Sequence, residues 1–373
     1  MEKLVNFISK TYLTAPTLVL DTEQVRQNYI NFKSHYKDVQ VFYAVKANPD
    51  NRVLRTLHSE GCSFDAASIN EIYNCISVGV PCSRISFGNT VKSVLDIKEA
   101  HNVGITLFAA DSEQELEKIA IYAPHSSVYI RMLVQNDKAD WPLGRKFGVM
   151  PSGVVNLLHY AKRLGLIPVG ISFHVGSQAK SPVIWDSTLN QASQIWKAAL
   201  ESGISLSLLN IGGGFPVKYL EDVVDIPTYS SHILSKIPTL FPGVKTVMAE
   251  PGRAIVATAG FISCRVLLVA DKADGGNRWV YLNIGRFGGL AETESEAIKY
   301  KITIPSRKGE LEAFKLAGPT CDSADIIYEK NLVYLPKDVS YDDICIIHNC
   351  GAYTTTYSTN YFNGFPPLSV LHI

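Results

Sequence analysis

A regular alternation of short β-rich runs with amphipathic segments constrains the fold of this 373-residue chain more than any other feature. The runs number eight: Val41–Val45, Ser63–Ala67, Ile85–Gly88, Ile105–Ala109, Val128–Val134, Val169–His174, Leu208–Ile211 and Thr246–Ala249. Between them, segments such as Asn51–Glu60 and Ser68–Val78 place apolar residues at helical spacing. Strands that alternate with helices predict a parallel (β/α)₈ barrel of the TIM type, and an open doubly wound sheet is the alternative.

Local helix-start signals support this pattern. The segment Asp111-Ser112-Glu113-Gln114-Glu115 combines capping residues with acids in a first turn. Pro151, Pro182 and Pro227 stand where further helices are expected to begin, since proline is tolerated in the first helical turn. The first helix of the barrel is predicted over Thr22–Tyr36.

After about Arg253 the pattern changes to strands with few helices between them. These strands are predicted at Phe261–Asp271, Arg278–Gly285, Phe314–Gly318, Leu332–Leu335 and Ile344–His348. A four-residue run near the start, Thr17–Leu20, is predicted to join their sheet. We therefore expect a barrel domain over residues 23–255, and a mainly-β domain, sandwich-like or barrel-like, made of residues 1–22 and 256–373.

Composition excludes several classes of function. The 35 basic side chains balance 35 acidic ones, which gives no support for binding to nucleic acid or to a membrane surface. The seven cysteines include no Cys-x-x-Cys pair, so neither a disulfide framework nor a metal site is predicted. The N-terminal residues lack a signal-peptide core, and the apolar stretch Ala254–Cys264 is too short to span a bilayer. A cytoplasmic location is expected.

Lys46 is the first candidate for chemistry, because it follows the apolar run Val41–Val45. Lysine is among the residues least often buried, so a lysine at the end of an apolar strand requires an explanation. A desolvated lysine loses its proton more readily and can form a Schiff base with a carbonyl. The alternative is a lysine whose ammonium group simply reaches solvent.

Other polar side chains fall at the ends of the predicted strands, where a (β/α)₈ barrel carries its active site. Together with Lys46, they are Asp65, Asn89, Arg131, His174 with Ser177, the turn Gly212–Pro216, and Glu250 with Gly252 and Arg253. If the barrel forms, all of these groups converge on one rim. Such convergence predicts an active site there.

A phosphate-binding site is predicted after the seventh and eighth strands. The turn Gly212-Gly213-Gly214 lets the backbone approach a ligand closely, and Arg253 offers a fork-shaped cation. A lysine nucleophile combined with a phosphate site indicates pyridoxal 5′-phosphate (PLP). Glu250 would then favour a protonated pyridine nitrogen, and His174 would stack on the ring; an ordinary salt bridge and a core histidine are the alternatives.

With these residues in place, the chain resembles the fold-type III PLP-dependent decarboxylases of the ornithine decarboxylase-like group. The motifs that carry the resemblance are Tyr43–Asn48, Phe64–Ser68, Phe173–Gln178, Gly212–Pro216, Glu250–Arg253, Gly318–Ser323 and Gly351–Thr354. They occur in the family's order over almost the whole chain.

The resemblance implies roles for the barrel residues. Lys46 would hold the cofactor covalently with Asp65 as its partner, Glu71 would support the phosphate region, and Arg131 and His174 would lie against the ring. The remaining cofactor-binding residues would be Ser177, Gly213, Gly214, Glu250, Gly252, Arg253 and Tyr353. Of these, Ser177, Gly214, Arg253 and Tyr353 would hold the phosphate, and Glu250 would face the pyridine nitrogen.

The resemblance also implies a head-to-tail homodimer with shared active sites. Cys321 and Asp322 would come from the other subunit, where Cys321 protonates the product carbanion and Asp322 binds the distal amine of the substrate. Lys146 would pair with Asp325 across the interface, and Phe362 would help to wall the site.

Asp322 decides most of the substrate prediction. Diaminopimelate decarboxylases resemble this chain but carry Cys-Glu-Ser where it has Cys321-Asp322-Ser323. An anion suits a terminal ammonium, so the favoured reaction is L-ornithine to putrescine, in polyamine biosynthesis, followed by L-lysine to cadaverine. One methylene separates the two substrates, which is about 1–3 kcal/mol of discrimination. Glu292 would replace an acid that the family carries nearby.

Three alternatives remain open. Arg286 near this site leaves room for a carboxylate-bearing substrate, such as diaminopimelate, carboxynorspermidine or a siderophore precursor. Alanine racemases share the barrel and the lysine but place an arginine at the pyridine nitrogen, which Glu250 argues against. The non-enzyme alternative is an inactive binding protein similar to antizyme inhibitors.

Overall fold

The computed structural model describes residues 7, 11, 13–134, 146–272 and 276–373. The chain divides into two compact units. The barrel unit comprises Arg26–Val217 and Val223–Ile255, and the β unit comprises Met1–Val25, Lys218–Asp222 and Val256–Ile373. The domain boundaries predicted from the sequence, at residues 22/23 and 255/256, stay a proposal. By compactness, the short segment Lys218–Asp222 also belongs to the β unit.

Eight parallel strands close the barrel unit on itself, which confirms the predicted architecture. They are β2 (Val39–Ala44), β3 (Ser63–Ala66), β4 (Ile85–Phe87), β5 (Leu107–Ala110), β6 (Ser127–Arg131), β7 (Ile167–Ser172), β8 (Leu208–Asn210) and β9 (Thr246–Ala249). The ring closes where Val39 of β2 pairs with Val247 of β9. Because helices cover the outside and side chains fill the inside, these strands consist of nearly continuous apolar runs.

Helices connect the strands. They are α1 (Thr22–His35), α2 (Asn51–Ser59), α3 (Ile69–Ser77), α4 (Val94–Asn102), α5 (Glu113–Tyr122), α6 (Pro151–Arg163), α7 (Ile184–Glu201), α8 (Ile226–Leu234), α9 (Ile237–Leu240) and α10 (Arg253–Val256). Helices α3, α4 and α5 each begin with a serine whose hydroxyl accepts a hydrogen bond from the backbone N–H three residues on. These caps satisfy N–H groups that have no partner within the helix.

The β unit is built on an eight-stranded sheet whose main path runs β12-β15-β10-β11-β13-β14, with β1 and β16 attached through β10. The strands are β1 (Thr17–Leu20), β10 (Gly260–Ala270), β11 (Trp279–Leu282), β12 (Ile302–Thr303), β13 (Leu311–Ala317), β14 (Ile326–Pro336), β15 (Ile344–Ile347) and β16 (Ser369–His372). Strand β1 pairs antiparallel with β10 and parallel with β16, as the prediction that Thr17–Leu20 joins this sheet requires.

The core of the β unit is a continuous apolar cluster that includes Val280 of β11, Phe314 of β13 and Tyr328 of β14. Two predicted features need correction. Strand β14 begins at Ile326, not at Leu332, and β12 and β16 were not predicted at all. Strands as short as Ile302–Thr303 have too little sequence to show a period of two, and they exist because a neighbouring strand supplies their hydrogen-bond partners.

Among the helices of the described part of the chain, none has the length and apolar character that crossing a membrane requires.

Candidate active site

Lys46 lies in a short 3₁₀ turn, Val45–Ala47, directly after β2. Its neighbours Val45 and Ala47 are buried, whereas Lys46 is exposed. In the single chain the turn therefore carries this one side chain out of the apolar strand and leaves it exposed. Its position at the carboxyl end of β2 agrees with the predicted site.

Asp65 of β3 is a buried carboxylate, 4% exposed. Burial first, and then the negative charge of Glu250, raise the pKa of Asp65 well above its usual value, while the positive charges of Lys46 and Arg131 act in the opposite direction. These mutual effects require the four side chains to lie close together. The buried Oδ1 of Asp65 has no hydrogen-bond partner among the described residues.

Glu71 is part of the same mouth. Burial raises the pKa of Glu71, although its Oε2 accepts a hydrogen bond of 2.7 Å from the backbone N–H of Ala67 and so favours the ionised form. Ser68 caps α3 by accepting from the N–H of Glu71. The sequence Ser-x-x-Glu thus fixes the start of α3 and holds Glu71 against the end of β3.

His174 stands two residues after β7, in surroundings that favour its neutral form. Desolvation lowers its pKa well below the usual value, and the positive charges of Arg131 and Lys46 lower it further. Its Nδ1 accepts a hydrogen bond of 3.0 Å from the backbone N–H of Gly176. Since Nδ1 is the acceptor, the ring carries its proton on Nε2. A flat uncharged ring suits stacking, and the stacking role of His174 stays a prediction.

Glu250 follows β9, and Asn210 at the end of β8 orients it. The amide Nδ2 of Asn210 donates to Oε1 of Glu250, and its Oδ1 accepts from the N–H of Gly212 at 2.9 Å. Sequence reasoning missed Asn210, although a polar residue in the apolar run Leu208–Ile211 was a visible signal. The fully buried side chain of Asn210 thus holds the Glu250 carboxylate and the glycine turn in one arrangement.

The glycine turn has the conformation that its sequence suggested. Gly212 and Gly214 have φ values of +68° and +103°, in the left-handed region that favours glycine. A Cβ at Gly213 would lie 2.7 Å from the carbonyl oxygen of Glu250 and 3.0 Å from Nε2 of His174. Because any side chain would collide there, the turn presents bare backbone to the barrel mouth.

Arg253 and Ser177, both predicted phosphate ligands, meet in the structure. Arg253 is 4% exposed, and its Nη2 donates to Oγ of Ser177 at 3.1 Å. Ser177 follows β7 and Arg253 follows β9, so the glycine turn after β8 lies between them in strand order. A buried cation beside a hydroxyl and open backbone is a suitable site for phosphate.

The residues of the barrel mouth therefore fit PLP. They provide an amine at Lys46, a cation at Arg253 with a glycine cradle, an oriented carboxylate at Glu250, and a buried carboxylate oxygen at Asp65 that no described residue satisfies. Among residues 13–134, 146–272 and 276–373, no cluster of three or more His, Cys, Asp or Glu side chains is arranged to hold a metal ion.

The β unit carries the remaining candidates on adjacent loops. Cys321 is exposed, and both its N–H and its thiol donate to Oδ1 of Asn363, at 2.9 and 3.1 Å. Asp322 is exposed, and its Oδ1 accepts from the N–H of Ala324 at 2.8 Å. The ring of Phe362 lies 4.5 Å from that of Phe287, centroid to centroid. Asn363 was not predicted, although it stands beside Phe362 in the sequence.

Arg286 is neutralised within the β unit. Its Nη1 lies 2.7 Å from Oε2 of Glu294, which forms an ion pair with it. Glu292 is buried, 6% exposed, and its role as a substrate contact stays a prediction. Tyr353 has a left-handed φ of 55°, and its role as a ligand of the cofactor phosphate stays a prediction as well. The ion pair leaves Arg286 less available to a substrate carboxylate than the sequence suggested.

Asp325 is buried, 3% exposed, and joins two loops of the β unit. Its carboxylate accepts from the N–H of Arg286 at 2.8 Å, and from the N–H and the hydroxyl of Thr320 at 3.1 and 2.8 Å. Gly285 and Gly318 give it room, because a Cβ at either position would collide with it. The cross-subunit pairing with Lys146 stays a prediction; in the barrel unit, the Lys146 ammonium lies 4.9 Å from the ring of Phe147.

Replacing Asp65 by asparagine should stabilise the folded, cofactor-free protein, and this stabilisation should grow as the pH rises. An acid whose pKa is raised on folding stabilises the folded state while it is protonated, and this contribution is lost as the pH rises through the raised pKa. We expect the gain to be small at acidic pH and to grow to about 1–3 kcal/mol at alkaline pH. Thermal melts of both proteins at pH 5 and pH 8 measure it, with the exposed Asp38→Asn as control. An equal difference at both pH values would contradict the assignment.

The chain matches one family model and several known proteins. Residues 22–257 match the family model described as the pyridoxal-binding domain of pyridoxal-dependent decarboxylases. A lysine/ornithine decarboxylase of Selenomonas ruminantium is 32% identical over 98% of this chain and 91% of its own length. The decarboxylase flvG of Aspergillus flavus is 35% identical over 94% of this chain and 84% of its own.

Two further matches bear on function. The solved structure of a lysine/ornithine decarboxylase from Vibrio vulnificus, complexed with cadaverine, superposes with a TM-score of 0.89 at 32% identity, covering 100% of this chain and 98% of that one. Antizyme inhibitor 2 of Xenopus laevis is 31% identical over 98% of this chain and 82% of its own length. The relatives thus include proteins named as enzymes and one named as an inhibitor of another protein.

Proposed function

The chain belongs to the pyridoxal-dependent decarboxylases, and from this premise we propose that it decarboxylates a basic amino acid, L-ornithine first and L-lysine second. The observation that carries the choice is Asp322, an exposed carboxylate beside an exposed thiol at Cys321. An anion at this place favours a substrate whose far end is an ammonium group. The product from ornithine would be putrescine, a precursor in polyamine biosynthesis.

The barrel residues bind and orient the cofactor. When bound, PLP supplies an electron sink that accepts the electron pair of the breaking bond between the α-carbon and the carboxylate. Lys46 provides the amine for covalent attachment, and Arg253, Ser177 and the backbone of Gly214 bind the phosphate. Glu250, held by Asn210, favours a proton on the pyridine nitrogen.

His174 and Asp65 influence the charges around the proposed cofactor site in the barrel. A neutral His174 would stack on the ring without opposing the ring's positive charge. Asp65, with its elevated pKa, lies close enough to Lys46 for their charges to interact, so it can take part in the protonation of the amine. Arg131 adds a positive charge beside both of them.

The β unit would complete the site in a second copy of the chain. Cys321 would donate its thiol proton to the α-carbon after carbon dioxide leaves, and Asp322 would bind the distal ammonium of the substrate. Both side chains are exposed within a single chain, which suits residues that act across a subunit interface. The head-to-tail homodimer remains part of the proposal.

A substrate panel tests the proposed function. Released carbon dioxide and amine are measured with L-ornithine, L-lysine, L-arginine, meso-diaminopimelate and carboxynorspermidine. We expect kcat/KM to be highest for ornithine, with lysine lower by about 10- to 200-fold at most, because one methylene separates them. A preference for diaminopimelate or carboxynorspermidine would overturn the role of Asp322.

The same panel distinguishes an enzyme from an inactive binding protein. A relative that acts only by binding a partner would release no carbon dioxide from any substrate, even when saturated with PLP. The presence of Lys46, Glu250, Arg253 and Cys321 in one chain supports the enzyme. The match to an antizyme inhibitor makes this control necessary.

A further inference from the structure

Asn363 makes an unusual pair of contacts with Cys321. A single acceptor atom, Oδ1 of Asn363, receives the backbone N–H of Cys321 at 2.9 Å and its thiol at 3.1 Å. Of the seven cysteines, all within the described part of the chain, Cys321 alone is exposed. The side chain of Asn363 therefore fixes both the backbone and the S–H direction of the most accessible thiol.

The backbone around Asn363 is in the left-handed region at several positions. Asn363 has a φ of 52°, and Tyr361 and Gly364 have φ values of 63° and 80°. Asparagine is among the few residues other than glycine that enter the left-handed region readily, whereas tyrosine does so at a cost. The segment thus holds three left-handed residues within four positions while it presents one amide oxygen to the neighbouring loop.

The loop that carries Cys321 is held from its other side as well. Asp325 accepts hydrogen bonds from the N–H and the hydroxyl of Thr320, directly before Cys321. Asn363 holds Cys321 itself, and Phe362 packs on Phe287. The thiol is therefore fixed by neighbours on both sides before any second copy of the chain is added.

We propose that Asn363 is a positioning residue that holds the backbone and the sulfur of Cys321 in the place from which the thiol proton is transferred to the substrate. The inference rests on the proposed function, in which Cys321 is the proton donor. In that step the S–H bond breaks and a C–H bond forms with the electron pair left on the α-carbon by carbon dioxide. The thiolate that remains takes a proton from water. Before the step the S–H donates to Oδ1 of Asn363, and it turns about the Cβ–Sγ bond toward the α-carbon to transfer its proton.

Three variants separate positioning from backbone strain. Asn363→Gly removes the acceptor but keeps the freedom to adopt a positive φ, so it spares the fold. Asn363→Asp keeps an acceptor and tolerates the same backbone, but adds a negative charge beside the sulfur. Tyr361→Gly is the matched control, because it relieves a left-handed residue two positions away.

The first measurement is alkylation of Cys321 by iodoacetamide in cofactor-free protein, located by peptide mass spectrometry. We expect Asn363→Gly to speed labelling about three- to tenfold, the size that one hydrogen bond supports, and Asn363→Asp to slow it, because a carboxylate opposes the thiolate that reacts. Tyr361→Gly should label at the wild-type rate. Labelling that rises equally in both Asn363 variants would show mere loosening and overturn the proposal.

The second measurement is the ratio of amine formed to carbon dioxide released by holoenzyme. Asn363→Gly should lower this ratio and kcat by about three- to tenfold with KM little changed, since the substrate still binds but the proton arrives less well. A wild-type ratio and kcat in Asn363→Gly would also overturn the proposal. A wild-type protein that releases no carbon dioxide would refute the proposed function, whereas the alkylation result would still decide the role of Asn363.

Discussion

Lys46→Ala will lose turnover by about three orders of magnitude or more, the scale on which removal of a reacting side chain acts. Lys46 is exposed at the mouth of the barrel, among the charges of Asp65, Arg131 and His174. Its amine is the group proposed to hold the cofactor covalently. Borohydride reduction of wild-type holoenzyme should therefore fix a pyridoxyl group on the peptide that contains Lys46, and should fix none in the variant.

Two controls accompany this experiment. Lys98→Ala removes an exposed lysine from α4 of the same unit and should leave turnover and labelling unchanged. Mixing Lys46→Ala with Cys321→Ala should restore about a quarter of wild-type activity if each site draws on two chains, because half of the dimers are mixed and each has one intact site. No recovery after mixing would refute shared sites, and labelling at another lysine would refute the assignment of Lys46.

Asp322→Ala will lower kcat/KM for ornithine by about 10- to 100-fold, mainly through KM, because a substrate ammonium loses a charge-assisted partner. The structure allows a sharper variant. Oδ1 of Asp322 accepts the N–H of Ala324 and so shapes the local turn. Asp322→Asn keeps that acceptor and removes only the charge, so it should lose nearly as much as alanine.

A substrate control isolates the distal ammonium. L-Norvaline has the carbon skeleton of ornithine without the terminal amine, so wild type and both Asp322 variants should handle it equally poorly. If Asp322→Asn keeps wild-type kcat/KM for ornithine while Asp322→Ala loses it, Asp322 acts through the turn and not through its charge.

The barrel was predictable because its information is local. The spacing of apolar runs predicted eight strands and their parallel order, and several of the helices between them begin with caps that the sequence shows. Strand ends were less predictable. The exposure of Lys46 in the single chain follows from the 3₁₀ turn Val45–Ala47, and a turn of three residues leaves no periodic signal.

The residues that were missed act through distant partners. Asn210 orients Glu250 from a neighbouring strand, and Asn363 holds Cys321 from a segment about forty residues away in the chain. Nothing in the local sequence of either asparagine states its partner, because the contacts arise only when the strands and loops are assembled. A polar residue inside an apolar run, as at Asn210, is the one signal that could have raised suspicion.

Strand β1 has a consequence for how the chain acquires its structure during synthesis. Thr17 lies opposite Ser263 on one side and Ser369 on the other, so both partners of β1 are translated long after it. The barrel strands pair with their next neighbours along the chain, apart from the β2–β9 pair that closes the ring before β10 is made. The nascent barrel unit can thus close while β1 still exposes its backbone donors and acceptors, and the sheet of the β unit is completed last.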